Sequence, residues 1–202
     1  MSELTLRHMR ATDVNPVVEI DTLSFDPAWP ASSYYFEINK SACSHMTVLE
    51  QANGSSLSIA RWWSNLRGKR LAGEIVGYGG LWRIKEEAHI STIAVHPSHR
   101  GHKFGELLLV AMLCRAQRLG AEYCVLEVRV SNAVAQALYK KYRFEIHGVK
   151  RKYYQNNEDA YDMRLEFTPE ITQHLWEHYD SLCKDLGFVD SYVRTPHPRL
   201  GD

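Results

Sequence analysis

The sequence predicts a single α/β domain with an added C-terminal helix, and three observations predict it. The chain opens as a strand followed by a helix. Its middle twice repeats a strand, a turn and a helix, over Ser91 to Gly120 and Glu122 to Tyr142, and it ends on a two-strand pattern followed by one amphipathic stripe. At 202 residues, 45% hydrophobic and 24% charged, the chain has the length for one full core with an appendage. Its formal net charge of zero gives no global field that would draw nucleic acid or an acidic membrane. Cys43, Cys114, Cys124 and Cys183 lack CxxC or Cys/His metal spacing and read as a reduced, intracellular thiol set. No apolar signal segment or membrane-length stretch is apparent, so a cytoplasmic protein with no membrane partner is expected.

Taken in order, Leu4 to Met9 alternates as a strand, and Thr12-Asp13 offers caps for a helix carrying Val14, Val17, Val18 and Ile20. Ser24 to Phe36 holds two prolines that forbid a continuous helix and more aromatics than a solvated loop needs. It reads either as a staple between two helices or as a wall facing a substrate. His45 to Leu49 and Gly73 to Trp82 are strands, and Gly77, Gly79 and Gly80 mark where the second bends or passes close to something. Between them, an insertion at about 51–72 contains an Asn53-Gly54 turn signal and a basic run with tryptophans, Arg61 to Arg70. That run is expected to pack on the domain, and direct nucleic-acid contact is the weaker reading.

Ser91 to Gly120 organises the rest. A strand reaching Ile93 to Val95 feeds a basic turn, and the helix that follows stops where Gly120 supplies a left-handed cap. Main-chain N–H groups and the positive end of the helix dipole converge in such a turn, which makes an anion site. Further on, Glu122 to Val130 alternates with Tyr123, Val125, Glu127 and Arg129 on one face. Ser131-Asn132 caps a helix from Ala133, and Phe144 to Lys152 with Ala160 to Phe167 forms a hairpin around residues 155–159. Thr168, Pro169 and Gly187 bracket a helix whose stripe is Ile171, Leu175, Trp176, Tyr179, Leu182 and Leu186. This stripe docks on its own domain or on a second copy, so a monomer or a homodimer fits. The last residues, around Thr195 to Arg199, read as an irregular tail.

Arg100 to Gly105 resembles the Arg/Gln-x-x-Gly-x-Gly/Ala pyrophosphate loop of the GNAT acetyltransferases, with Lys103 standing at a position where the family usually has glycine. Leu126-Glu-Val-Arg-x-Ser-Asn-x-x-Ala-x-x-Leu-Tyr139 resembles the RimI type of that family, the ribosomal-protein-alanine N-acetyltransferases. Here Arg143 replaces the glycine that usually ends the helix. Ser24 to Trp29 resembles the Ser-Phe-x-x-Pro-Trp loop of one branch, with one extra residue. The resemblance covers Leu4 to Phe167. It implies a GNAT fold, with a mixed and mostly antiparallel sheet flanked by helices, over residues 1–167, and a C-terminal helix and tail over 168–202.

The resemblance further implies acetyl-CoA as co-substrate and a protein or peptide N-terminus, that of a ribosomal protein included, as the acetyl acceptor. Glu127 is then the base that takes the amine's proton, and Tyr139 the acid that reprotonates the leaving thiolate. Arg100, Gly101, His102, Lys103, Phe104, Gly105 and Glu106 would seat the diphosphate; Ile93, Ala94 and Val95, on a splayed strand, would bond the pantetheine and thioester, as would Asn132. Phe25, Trp29, Tyr34, Tyr153 and Tyr154 frame a slot for the peptide N-terminus or else form hairpin core. His96, His99 and His102 have no metal-ligand spacing, so no metal is expected. Acetylation of a small amine and a catalytically silent acyl-CoA-binding module are the alternatives.

Overall fold

The structure is a computed structural model that describes residues 3–52 and 73–200. The basic run Arg61 to Arg70 and the Asn53-Gly54 turn lie outside the described residues. In chain order the elements are β1 (Leu4–His8), α1 (Val14–Thr22), α2 (Ala31–Asn39), β2 (Ser44–Gln51), β3 (Glu74–Ile84) and β4 (Glu87–Val95). Then follow α3 (Phe104–Arg118), β5 (Tyr123–Arg129), α4 (Ala133–Lys141), β6 (Glu145–Lys150), β7 (Ala160–Glu166), α5 (Pro169–Leu186) and β8 (Phe188–Ser191). The strands form one eight-stranded sheet in the order β6-β7-β5-β4-β3-β2-β1-β8. Among the described residues only β4 with β5 and β1 with β8 run parallel, which bears out the mixed, mostly antiparallel sheet.

The two faces of the sheet carry separate cores. On one, α3 is apolar nearly all round, because Leu107, Leu108, Ala111 and Met112 lie wholly buried between the sheet and α5. Leu175, Tyr179 and Leu182 of α5 are buried there, and Gln117 donates to Thr172 Oγ1 at 2.8 Å, so the C-terminal stripe docks on its own domain. On the other face, α1 and α2 bring Val14, Val17, Ile20 and Tyr34 onto Met46, Val48, Ile75 and Tyr78. Gly79 of β3 is where the helix comes closest: a Cβ there would stand 2.8 Å from the Met112 side chain. The glycines of this strand therefore mark a close approach, as expected.

A bulge reorganises β4. Gly80 faces Thr92 but Leu81 faces Ile90, so Ser91 is the extra residue and the alternation flips across it. Ala88 and Ile90, and after the bulge Ile93 and Val95, all turn toward α3, while Thr92 and Ala94 turn to the α1 and α2 side. Parallel pairing of β4 with β5 covers only Glu87, Ala88 and His89 opposite Tyr123, Cys124 and Val125. Beyond that point the two strands continue without pairing to each other.

The caps follow the sequence signals. Gly120 has φ 77°, with Ala121 N–H on Ala116 O at 3.0 Å, and Gly187 has φ 61°. At Arg143 the geometry is the same although glycine is missing. Arg143 lies at φ 65°, with Phe144 N–H on Tyr139 O and Arg143 N–H on Lys140 O, so the arginine itself holds the left-handed position.

Two features depart from expectation at the C-terminus. Phe188–Ser191 adds a strand beside β1, and Tyr192 and Val193 are fully buried, so the segment after α5 belongs to the core. The irregular residues that follow are anchored: buried Arg115 donates to the carbonyls of Tyr192 and Thr195, and Arg199 Nε donates to Ile38 O. Among the described residues no helix is long and apolar enough to cross a membrane.

Buried His45 lies against His197, ring centroids 5.1 Å apart. Burial, then the charges of Arg115, His197 and His8, lowers its pKa to about 3. In the unfolded chain this imidazole takes up its proton near pH 6.5, whereas the folded protein resists until about pH 3. The unfolded state is therefore favoured as pH falls through that window, by up to about 1.4 kcal/mol per pH unit. Urea unfolding at pH 7.5 and pH 5.0 should show the loss, and His45→Gln should make it smaller. An equal fall in that variant would show that His45 does not carry it.

Candidate active site at the split between two strands

The turn after β4 is built to leave amides unused. Pro97 ends strand pairing and starts a short 3-10 turn, whose entry is held by His96 Nδ1 accepting from Ser98 N–H at 3.3 Å. Gly101 at φ 82° and Lys103 at φ 62° then turn the chain into α3. Among the described residues, the main-chain N–H groups from Gly101 to Glu106 donate to no protein acceptor; the first bond at this end is Leu107 N–H to Lys103 O. They form a row of donors at a helix N-terminus, suited to an anion.

The side chains around this row divide. Arg100 donates from Nε to Val95 O at 3.2 Å and from its terminal nitrogen to Ser24 Oγ at 3.3 Å. Phe104 is buried in the core. Glu106 turns away, to Lys141, to Tyr142 Oη at 2.5 Å and to His178 at 3.4 Å. Burial works against its charge, yet the bonds from Lys141 and Tyr142 prevail and its pKa is lowered. Phe104 and Glu106 can therefore offer a ligand only their amides. Lys103 Nζ points to Asp185 at 3.4 Å across an exposed gap, and His102 Nδ1 lies 3.0 Å from Arg100 O.

Beyond His89, among the described residues, the edge of β4 that faces β5 has no strand on it. His96 N–H donates to Val76 O. By the alternation of an antiparallel ladder, Ala94 then bonds toward β3, and the N–H groups of Ile93 and Val95 point into the split. Ala94 is thus corrected: its amide belongs to the sheet. Asn132 Oδ1 caps α4 by accepting from Ala135 N–H at 3.1 Å.

On the α1 and α2 side of the split, Glu127 projects from β5, its side chain 11% exposed. Its Oε2 is 2.8 Å from His89 Nε2, and its Oε1 accepts from Lys150 Nζ, which also lies 3.7 Å from Asp162. Burial alone would raise its pKa, but the bonds from His89 and Lys150 hold it at about 2; the bond to Glu127 in turn raises that of Lys150. A cleft of about 420 Å³ runs from here across Glu87, Tyr123, His147 and Arg164. Tyr139 lies buried on α4 with its ring 5.9 Å from Phe144, and burial raises its pKa. Burial pushes the Tyr154 phenol up to about 12 against the pull of Arg129.

The expected substrate wall separates into parts. Arg129 stacks on the Tyr154 ring at 3.9 Å, bonds Glu158 at 2.9 Å and donates to Asp26 O at 3.0 Å, so it ties the α1–α2 loop to the β6–β7 hairpin. Phe25 and Tyr153 are exposed on these two segments. Trp29 packs between Tyr34 and Trp82. Tyr34 is corrected: it is fully buried, with its hydroxyl 3.1 Å from that of Tyr78, and cannot touch a substrate. His89 and Lys150 escaped the sequence reading, since nothing local marks a histidine or lysine on a strand as the partner of a distant carboxylate.

The sequence profile of the Acetyltransferase (GNAT) family matches residues 14–144. An N-alpha-acetyltransferase of Sulfurisphaera tokodaii is 33% identical over 174 residues, covering 80% of this chain and 92% of the relative. A Bacillus subtilis protein that carries a provisional name as a ribosomal protein bS18-alanine N-acetyltransferase is 32% identical over 160 residues, 79% of this chain and 93% of its own. Among solved structures, the ribosomal-protein-S18-alanine N-acetyltransferase of Escherichia coli shares the fold, with a TM-score of 0.64 at 22% identity over 82% of this chain and 94% of that one.

Lys103 in the left-handed region provides a direct test of the turn. Lys103→Gly should raise the free energy of unfolding by about 0.5–1 kcal/mol, the strain relieved less the extra freedom of the unfolded chain. Its exposed pair with Asp185 contributes little to offset this. Urea titration of the variant checks it, and a loss of stability would mean the side chain holds the turn.

Proposed function

The chain belongs to the GNAT acetyltransferase family, and we propose that its split strands serve the transfer of an acetyl group to the N-terminal α-amine of a protein, with a ribosomal protein as the substrate class. The single observation that carries this reading is the conjunction at one split of an unused row of amides, two inward amides and a buried carboxylate. The relatives of more than 30% identity described above bear names of protein N-terminal acetyltransferases, which favours this acceptor over a small amine.

Acetyl-CoA supplies the activated acetyl thioester. The amides of Gly101 to Glu106 fit its diphosphate, with Arg100 at the lip, and this fit rests on donors that no acceptor among the described residues uses. The N–H groups of Ile93 and Val95 face the gap where a thioester oxygen would lie; one aimed amide contributes on the order of 3 kcal/mol when charge develops there.

An α-amino group has a pKa near 8 and arrives mostly as ammonium. Glu127, held at about 2, is a weak base while Lys150 bonds it. The incoming ammonium can take the place of Lys150 at Oε1, one ammonium for another, with Asp162 beside the displaced lysine. Glu127, still oriented by His89, then accepts the amine's proton directly or through water. As the N–C bond forms and the C–S bond breaks, Tyr139 returns a proton to the sulfur.

Mass spectrometry of Ala- and Ser-initiated peptides beside polyamines and amino sugars, with acetyl-CoA, should place the acetyl group on the peptide α-nitrogen; acetylation of only the small amines would overturn the reading. Glu127→Gln and Tyr139→Phe should each lower kcat by about 10²-fold, with little change in acetyl-CoA affinity. Lys150→Met should lower the peptide KM several-fold, on the order of one lost competing ion pair, and leave the acetyl-CoA KM unchanged. A higher peptide KM in that variant would remove the exchange of ammonium groups.

A further inference from the structure

A second recess opens on the same face of the sheet, beyond the cleft that holds Glu127. Trp29, Ser32, Ser33, Phe36, Glu37 and Trp82 line a groove of about 340 Å³ between α2 and β3. Its walls are aromatic: Trp29 and Trp82 stack with centroids 6.3 Å apart and planes at 21°, and Phe36 is 52% exposed at the rim. Glu37, at the same place, is only 9% exposed. Its Oε2 accepts from Trp82 Nε1 at 3.0 Å, and among the described residues no lysine, arginine or histidine forms an ion pair with it.

Among the described residues this carboxylate, buried at an aromatic recess, has one neutral donor and no cation, so it lacks the partner that normally accompanies a buried charge. Indole faces favour a cation over a neutral group, so walls and floor ask for the same ligand. The groove and the reaction cleft are separate recesses whose walls meet at one ring contact. Trp82 meets His89 edge to face at 5.3 Å, and His89 is bonded to Glu127. Starting from an amine at Glu127, the step of 2.8 Å to His89 and the ring-to-ring steps of 5.3 and 6.3 Å are crossed by about four or five extended residues at roughly 3.3 Å each.

We infer that this groove is a subsite for a lysine or arginine side chain of the acceptor peptide, three to five residues from its N-terminus, with Glu37 as counter-ion. The inference rests on the reading of the protein as an N-terminal acetyltransferase and adds to it a preference for basic N-terminal segments.

Two measurements on the full chain separate this inference from the reading beneath it. Ala-initiated decapeptides carrying Lys, norleucine or Glu at position three, four or five are tested free, for acetylation, and N-acetylated, for affinity by calorimetry. At one of these positions Lys should bind roughly five- to twentyfold tighter than norleucine, and Glu should bind more weakly than either. The ratio of Lys to norleucine should shrink as salt rises from about 50 to 500 mM and approach one in Glu37→Gln. Equal affinities across the series in the unaltered protein overturn the subsite whatever Glu37→Gln does, even if the peptides are acetylated. A Lys preference abolished by Glu37→Gln supports the subsite, even if no peptide is acetylated and the function reading falls.

Discussion

The whole site depends on one interruption of hydrogen bonding. β4 and β5 pair in parallel only as far as His89 and Val125, and from there, among the described residues, no strand lies between them, although Arg100 Nε reaches Val95 O. Unpaired main-chain groups inside a domain are unfavourable unless something else can use them, which is the ground for proposing the split as a binding feature. The bulge at Ser91 shifts the facing of β4 just where pairing ends, and Pro97 prevents the strand from running on. α3 starts directly behind, so its unused N-terminal amides and those of Ile93 and Val95 open onto a single gap.

Glu127 shows how the polar face of the split is balanced. A carboxylate this buried would be costly without compensation, and His89 and Lys150 provide it from β4 and β6, one on each oxygen. The two partners differ in permanence. His89 stands at the last paired position of β4 with its ring against Trp82, whereas the Lys150 side chain is 41% exposed and has Asp162 as an alternative partner. On the proposed reading, one bond orients the carboxylate and the other would be exchanged for the incoming amine.

What could be read in the sequence was local. Gly120, Thr168 with Pro169, and Gly187 announce helix ends because caps involve neighbours in the chain, and each lies where its residue type predicts. The faces of β5 and the amide-rich turn were legible for the same reason, and resemblance to the GNAT pattern supplied the roles of Glu127 and Tyr139. Contacts across long separations were hidden: Glu127 lies 38 residues from His89 and 23 from Lys150. Tyr34 looked like part of a substrate wall, but its place on α2 points it into the core, where Tyr78 satisfies its hydroxyl. The side chain of Glu106 belonged to α4 and α5 for a similar reason. The strand Phe188–Ser191 is short and gains its identity only from lying beside β1. Lys103 and Arg143 show the converse: geometry that glycine usually serves is imposed by the surrounding fold on residues that adopt it at a cost.

The α1–α2 loop connects these parts. Arg100, at the lip of the amide row, holds Ser24, while Arg129, from the strand that carries Glu127, holds the carbonyl of Asp26. One short segment is thus fastened to both sides of the split, and Trp29 from the same segment forms a wall of the aromatic groove. A diphosphate at the amide row would compete with Ser24 for Arg100, since charged acceptors bind guanidinium more strongly than a hydroxyl does. Any such competition changes the free energy of the loop that borders the acceptor's path. On the proposed reading, a ligand at the amide row that draws Arg100 from Ser24 would also act on the loop held by Arg129, and by thermodynamic reciprocity any effect on acceptor affinity would be matched by the same factor in the other direction.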